Sequence, residues 1–403
     1  MPPEDQASAM AAAWRSESPL RPDIVFLNPG TLGGALRSAS RAADQSRRRW
    51  LRGGAGAALD IRGADGYQHM RRSMDAVRQA LADWLARPPR QVALTGNATD
   101  GLHQALLSVD WRPGDHVLTS SEEHEALLNA LARLEALRGV VVDVVPFPAA
   151  DDDGDVGEAV ARRLERRTRM VCLSHVSCRT GTTLDVAAVA RAVAGHGAWL
   201  LIDGAHGAGT RLPVVHDGVD FYAFPGHKWL FGPIGTGALV VSARALAQTA
   251  PLLRGAPSLD AAGRELTGLD GAWRYESGTR DWSAFAGLGA ALAFRRRWPE
   301  AVILCHYDNL SAAFVAGLGG RWPVSGRGPL LTLRMPEGEA WVLARRMWRR
   351  HRTIVKPTQD GIRITLGPWL APEEAQLAAE RLDRAAASGS SRRDLPTTAR
   401  RRP

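Results

Sequence analysis

"AWLLIDGAHGAG", Ala198–Gly209, decides the fold. Its apolar run has no polar alternation, the pattern of a strand covered on both faces rather than one facing water. The run ends on Asp203 and a glycine-rich turn. Working outward, similar short runs recur upstream at Gln91–Gly96, Asp115–Ser120, Val140–Pro146 and Arg169–His175. Downstream they recur at Asp220–Phe224 and Gly237–Ser242. Helical periodicity fills many of the gaps, at Thr99–Leu107, Glu125–Leu137, Val156–Arg166 and Val186–Ala194. Strands alternating with helices predict an α/β domain built on a mostly parallel, seven-stranded sheet. After about Pro251 the pattern changes: helices near Trp282–Trp298, then strand, helix and strand through Leu366, and a last helix from Pro372. That predicts a smaller α+β C-terminal domain, with the large domain over 61–255 and the small one over 256–387. Residues 1–20 and 388–403 read as disordered tails.

In sheets of this kind chemistry gathers at the carboxyl ends of strands, and the polar motifs fall there. Gly96-Asn97-Ala98-Thr99 follows one strand and opens a helix, where free N–H groups and the helix dipole suit an anion. An N-cap with no ligand fits the same four residues. Asp203 stands where a lone carboxylate is costly unless a cation or protonated nitrogen meets it, although an Asp capping the next turn reads equally well. Lys228 sits in "FPGHKWLFGPIGTG", Phe224–Gly237, among aromatics, glycines and prolines. Burial would lower its pKa toward the free amine that attacks a carbonyl, whereas an ordinary lysine packs its stem and keeps its head in water. Together, in this order, an anion cradle, a buried Asp and a desolvated lysine form the set that pyridoxal 5′-phosphate (PLP) requires. The phosphate anchors the cofactor, the Asp keeps its ring nitrogen protonated, and the lysine holds its aldehyde as a Schiff base.

Composition narrows the alternatives. Among 403 residues, 45% are hydrophobic and 23% charged, as in ordinary globular proteins. The net charge of +9 comes from 51 basic against 42 acidic residues, and much of the excess lies in "SGSSRRDLPTTARRRP", Ser388–Pro403. No basic stretch is interleaved with aromatics, so no nucleic-acid partner is expected. Three cysteines without a CxxC pattern suit a reducing compartment. The acidic start "MPPEDQ" and the absence of a long apolar run predict a cytoplasmic chain with no membrane partner.

The stretch "SHVSCRTGTTLDV", Ser174–Val186, with the block from Asp203 through Lys228 to Gly237, resembles the class V aminotransferase family of fold-type I PLP enzymes. It is most similar to the branch of isopenicillin N epimerase-like proteins and cyst(e)ine C–S lyases, over roughly Phe26–Leu382. The resemblance implies that Lys228 forms the Schiff base and shuttles protons, that Asp203 pairs with the ring nitrogen, and that His206 approaches the ring hydroxyl. It implies that His124 stacks on the cofactor and acts with Lys228 and Asp203 in catalysis, and that Ala98, Thr99 and His227 hold the phosphate. Gly278 and Thr279 would reach the phosphate of a partner subunit, which implies a homodimer with shared sites. Arg363 would grip the substrate α-carboxylate and Asn28 would lie in a segment, 21–60, folded over the site. Arg179 reads as a further substrate contact.

Three departures qualify this. Pro225 offers no hydroxyl where many members carry Ser or Thr, and His206 stands where Gln is frequent. No cysteine lies between Trp341 and Gly361, where persulfide-forming desulfurases carry theirs. The closest branch and the missing thiol favour β-elimination from a cysteine S-conjugate or related amino acid, in secondary metabolism. Transamination, epimerisation and decarboxylation use the same lysine and aspartate and stay open, as does, with less support, a binder that has lost its chemistry.

Overall fold

The computed structural model describes residues 3–53, 66–145, 156–253 and 271–387. The chain begins with α1 (Pro3–Glu17), β1 (Val25–Phe26), α2 (Arg37–Gly53) and α3 (Gly66–Leu85). Strands and helices then alternate: β2 (Val92–Thr95), α4 (Ala98–Leu107), β3 (His116–Ser120), α5 (Glu125–Arg138), β4 (Val141–Val145), α6 (Val156–Ala161), β5 (Thr168–Ser174) and α7 (Val186–Val193). β6 (Trp199–Asp203), β7 (Phe221–Pro225), β8 (Gly237–Val241) and α8 (Ala243–Gln248) follow. The C-terminal part comprises α9 (Trp282–Arg295), α10 (Glu300–Ala316), β9 (Val324–Arg327), β10 (Leu330–Arg334), α11 (Glu337–His351), β11 (Thr353–Ile354), β12 (Lys356–Thr358), β13 (Gly361–Thr365) and α12 (Pro372–Ala387).

The seven expected strands form one sheet in the order β2-β8-β7-β6-β5-β3-β4. Only the two pairings of β8, with β7 and β2, are antiparallel. β2 and β7 therefore run the same way, and β2, β3, β5, β6 and β7 all end along one edge. Alternate residues of these strands enter different cores. Leu200, Ile202, Tyr222 and Phe224 pack on one face, while Leu201, Phe221, Ala223 and Leu239 pack on the other. Both faces are covered, which is why the runs are apolar throughout. β4, at the sheet edge, is the partly exposed exception.

A second, antiparallel sheet, β12-β13-β10-β9, packs under α10, α11 and α12 in a separate core. The N-terminal stretch corrects one expectation. Instead of a disordered tail it forms α1, whose Met10 and Trp14, four residues apart on one face, are fully buried in that core. Arg15 ties the helix down by donating to the Trp369 carbonyl at 2.8 and 3.1 Å. α6 is also shorter than expected, ending at Ala161. The expected boundary near residue 255 and the tail over 388–403 lie outside the described residues.

Candidate active site

Asp203 closes β6 and is 5% exposed. Burial pushes its carboxyl upward, and three things oppose that: the N–H of Ala205 donating to Oδ1 at 2.8 Å, and the positive charges of Lys228 and His124. Lys228 follows β7 and is half-buried. Burial pushes its ammonium downward, Asp203 pulls it back up, and Arg363 lowers it again. A carboxylate and a lysine thus share a desolvated space at adjacent strand ends, with a free amine favoured beyond what water would allow.

His206, in the turn after β6, is 3% exposed. Its Nε2 lies 3.3 Å from Lys228 Nζ, and its Nδ1 accepts a hydrogen bond from the Trp229 indole at 3.2 Å. His124 caps α5, its Nδ1 accepting from the Ala126 N–H at 3.1 Å. Burial and Lys228 both hold its imidazole below the usual range. Asn97 caps α4 through its side chain, accepting from the Asp100 N–H at 2.8 Å. Ala98 and Thr99 are the first residues of that helix, where N–H groups have no intrahelical acceptor.

The second sheet contributes Arg363 from β13, buried at 8% exposure. Its Nη1 donates to the Cys178 carbonyl at 3.0 Å and its Nη2 to the Thr31 hydroxyl at 2.7 Å. Thr31 donates in turn to Asn28 Oδ1 at 2.8 Å. The segment carrying Asn28 and Thr31 runs close beside Lys228. The Gly33 N–H donates to the His227 carbonyl at 2.8 Å, and a Cβ at Gly33 would stand 2.1 Å from the Lys228 carbonyl. Only glycine permits that approach.

Asp203, Lys228, His206, His124 and Arg363 therefore share one electrostatic neighbourhood, joined to Asn28 by hydrogen bonds. Arg179 is engaged elsewhere: its guanidinium makes a two-pronged ion pair with Asp360, at 2.8 and 2.9 Å, and donates to the Ser121 carbonyl. Gly278 and Thr279 lie on a loop tied back to β2. Glu276 accepts from Arg78, from Arg280 and from the Leu94 N–H, and Arg280 also donates to the Leu94 carbonyl.

Sequence reasoning passed over three residues here. Glu123 is buried between the sheet ends, accepting from the Ser120 hydroxyl at 2.5 Å, the Ser174 hydroxyl at 2.6 Å and the Ser174 N–H at 3.1 Å. Ser174 is the cross-strand partner of Asp203. Thr31 is hidden in the sequence because its partner lies 332 residues away. Cys178 shows there only as one more cysteine without a pairing pattern.

Two orphaned atoms test whether PLP fits. His227 Nδ1 and Arg363 Nε are buried with no hydrogen-bond partner among the described residues. Such groups are costly unless something completes them. A dianionic phosphate beside His227 and the α4 N-terminus, and a substrate carboxylate beside Arg363, are the kinds of acceptor they lack. A protonated ring nitrogen would likewise offset the burial of Asp203. The residues fit the cofactor.

The sequence profile of the family Aminotransferase class-V matches residues 58–321. A probable cysteine desulfurase of Pseudomonas aeruginosa is 35% identical over 260 residues, 63% of this chain and 64% of that protein. The match thus spans less than two thirds of that relative. A cysteine desulfurase of Escherichia coli is 32% identical over 307 residues, 73% of this chain and 72% of that protein. The structure of the cystine C–S lyase C-DES with its reaction product cysteine persulfide superposes with a TM-score of 0.77 at 26% identity, covering 89% of this chain and 97% of that one. With the Asp203–Lys228 geometry on the sheet edge, these likenesses place the chain in the class V aminotransferase family of PLP-dependent, fold-type I enzymes.

Proposed function

We propose that this protein is a lyase that breaks the C–S bond of a cysteine-derived amino acid by β-elimination. The observation that carries the reading is where its thiols stand. All three cysteines are described: Cys172 is fully buried, Cys305 is exposed on α10, and Cys178 is half-buried near Lys228 and Arg363. Burial pushes the Cys178 thiol up to about 11. A thiol that has to attack substrate sulfur acts as thiolate, and Cys178 is held away from that form. The segment from Trp341 to Gly361 contains no cysteine at all. Expulsion of the sulfur needs no enzyme thiol.

PLP bound here would supply the electron sink that makes the substrate Cα–H bond acidic. Arg363 orients the substrate by its α-carboxylate, and its bonds to Cys178 and Thr31 fix the plane of the guanidinium. Asp203 keeps a proton on the ring nitrogen by its negative charge in a dry site. Lys228 Nζ, favoured as free amine by burial, takes the Cα proton. The electron pair of that bond becomes the Cα–Cβ double bond, and sulfur leaves Cβ with its own pair. The segment over Lys228 excludes water while this happens. His124, His227, Ala98 and Thr99 hold the cofactor, and the loop of Gly278 and Thr279 serves the site of a second copy, so the working unit is a homodimer.

The test is product analysis with colour as its control. Purified protein should be yellow, and Lys228→Ala should lose the visible band. With cystine or a cysteine S-conjugate it should release pyruvate and ammonia in equal amounts. Keto-acid-dependent amino transfer, or loss of optical activity without either product, would overturn the lyase reading.

A further inference from the structure

Trp229 directly follows the lysine, and its side chain turns into the core rather than into the site; it is 1% exposed and meets Tyr307 edge-on at 5.9 Å. Its indole Nε1 is 3.2 Å from His206 Nδ1, and His206 Nε2 is 3.3 Å from Lys228 Nζ. An indole nitrogen can only donate. His206 Nδ1 must therefore accept, and the one proton of a neutral imidazole must then sit on Nε2. That N–H points at the lysine, where it can only donate, so Nζ must receive it through a lone pair.

We infer that Trp229 is a positioning residue. It fixes the tautomer of His206, so that Nε2–H donates toward Lys228 and holds its nitrogen in the unprotonated form. This explains why a histidine can stand where an amide donor is frequent: with Nδ1 occupied, the ring becomes an obligatory donor. Packing holds the arrangement: His206 is 3% exposed, its ring meets that of Trp229 edge-on at 6.2 Å, and the Thr210 hydroxyl donates to its backbone carbonyl. Burial, reinforced by the nearby Arg363 guanidinium, holds the imidazole well below its ordinary range. Lys228 is faced in addition by Asp203 and Cys178, whose side chains the test leaves unchanged. The inference rests on Lys228 being the reacting amine, but its first readout does not.

The experiment has two arms on the cofactor-loaded enzyme. Histidine-selective 15N NMR should show His206 with a bare Nδ1 and a protonated Nε2; a proton on Nδ1 would overturn the inference whatever the activity. The second arm follows the pH midpoint of the visible absorbance. Trp229→Phe keeps an aromatic ring and removes the donor, freeing His206 to turn a bare Nε2 toward a protonated nitrogen. The midpoint should rise by about one pH unit, the scale of one hydrogen bond to a charged group. In a His206→Phe background the same substitution should leave the midpoint in place. An equal shift in both backgrounds, or no shift in either, would overturn the inference. Should Trp229→Phe fail to fold, the 15N result on the unaltered protein decides alone.

Discussion

Replacing Glu123 by glutamine should uncouple the fold from pH in a calculable way. Glu123 is 2% exposed, and among the described residues its carboxyl is bonded to Ser120 and Ser174 alone. Desolvation, opposed by those three hydrogen bonds, lifts its pKa from 4.5 to about 7, and the charge of Asp203 adds to the rise. A folded-state pKa above the unfolded value means that the folded protein holds the proton more tightly. The associated stability is fully present below about pH 4.5 and is lost as pH rises through about 7. The rise from 4.5 to about 7 corresponds to about 3 kcal/mol between the two ends of that window. The amide in Glu123→Gln cannot ionise, and it can use the same two hydroxyls. The variant should therefore melt close to the unaltered protein at pH 5 and several degrees above it at pH 8. Differential scanning calorimetry of the cofactor-free protein at both pH values measures the gap. A gap that does not change with pH would refute the buried, proton-holding Glu123.

Other outcomes follow from the same geometry. Asp203→Asn should lower kcat/KM by about 100-fold with little change in melting temperature at neutral pH, measured by steady-state kinetics and calorimetry. Arg363→Lys should raise KM by at least about tenfold, because an ammonium cannot reach Thr31, the Cys178 carbonyl and a substrate carboxylate together. Glu276→Gln should destabilise the fold by about 3 kcal/mol in denaturant titration, since it removes the buried counter-charge of the buried Arg78 and leaves the more distant pair with exposed Asp75, at 3.6 Å, in its place. Asp360→Asn, by contrast, breaks a half-exposed pair with Arg179 and should cost no more than about 1 kcal/mol.

The large sheet was legible because each strand is buried on both faces, and such strands leave unbroken apolar runs in the sequence. Asp203 and Lys228 were legible for the opposite reason: each is a charge where the surroundings are apolar. What the sequence hid were long-range pairings. Nothing near Arg179 announces Asp360, 181 residues away, so its charge read as a substrate contact. Glu123 looked like one acid in "SSEEHEALL", and only the adjacency of Ser120 and Ser174 at the sheet edge reveals it as buried. α1 escaped notice because two large apolar residues in an alanine-rich stretch gave too faint a stripe to outweigh the polar residues around them.

In the proposed reaction sulfur leaves without passing through an enzyme thiol. This is tested most directly by incubating the cofactor-loaded protein with cystine or cysteine and assaying pyruvate, alanine and protein-bound persulfide in one reaction. Pyruvate matched by ammonia, no alanine, and the same turnover in Cys178→Ser are the expected results. Alanine accompanied by persulfide on the protein would contradict that route.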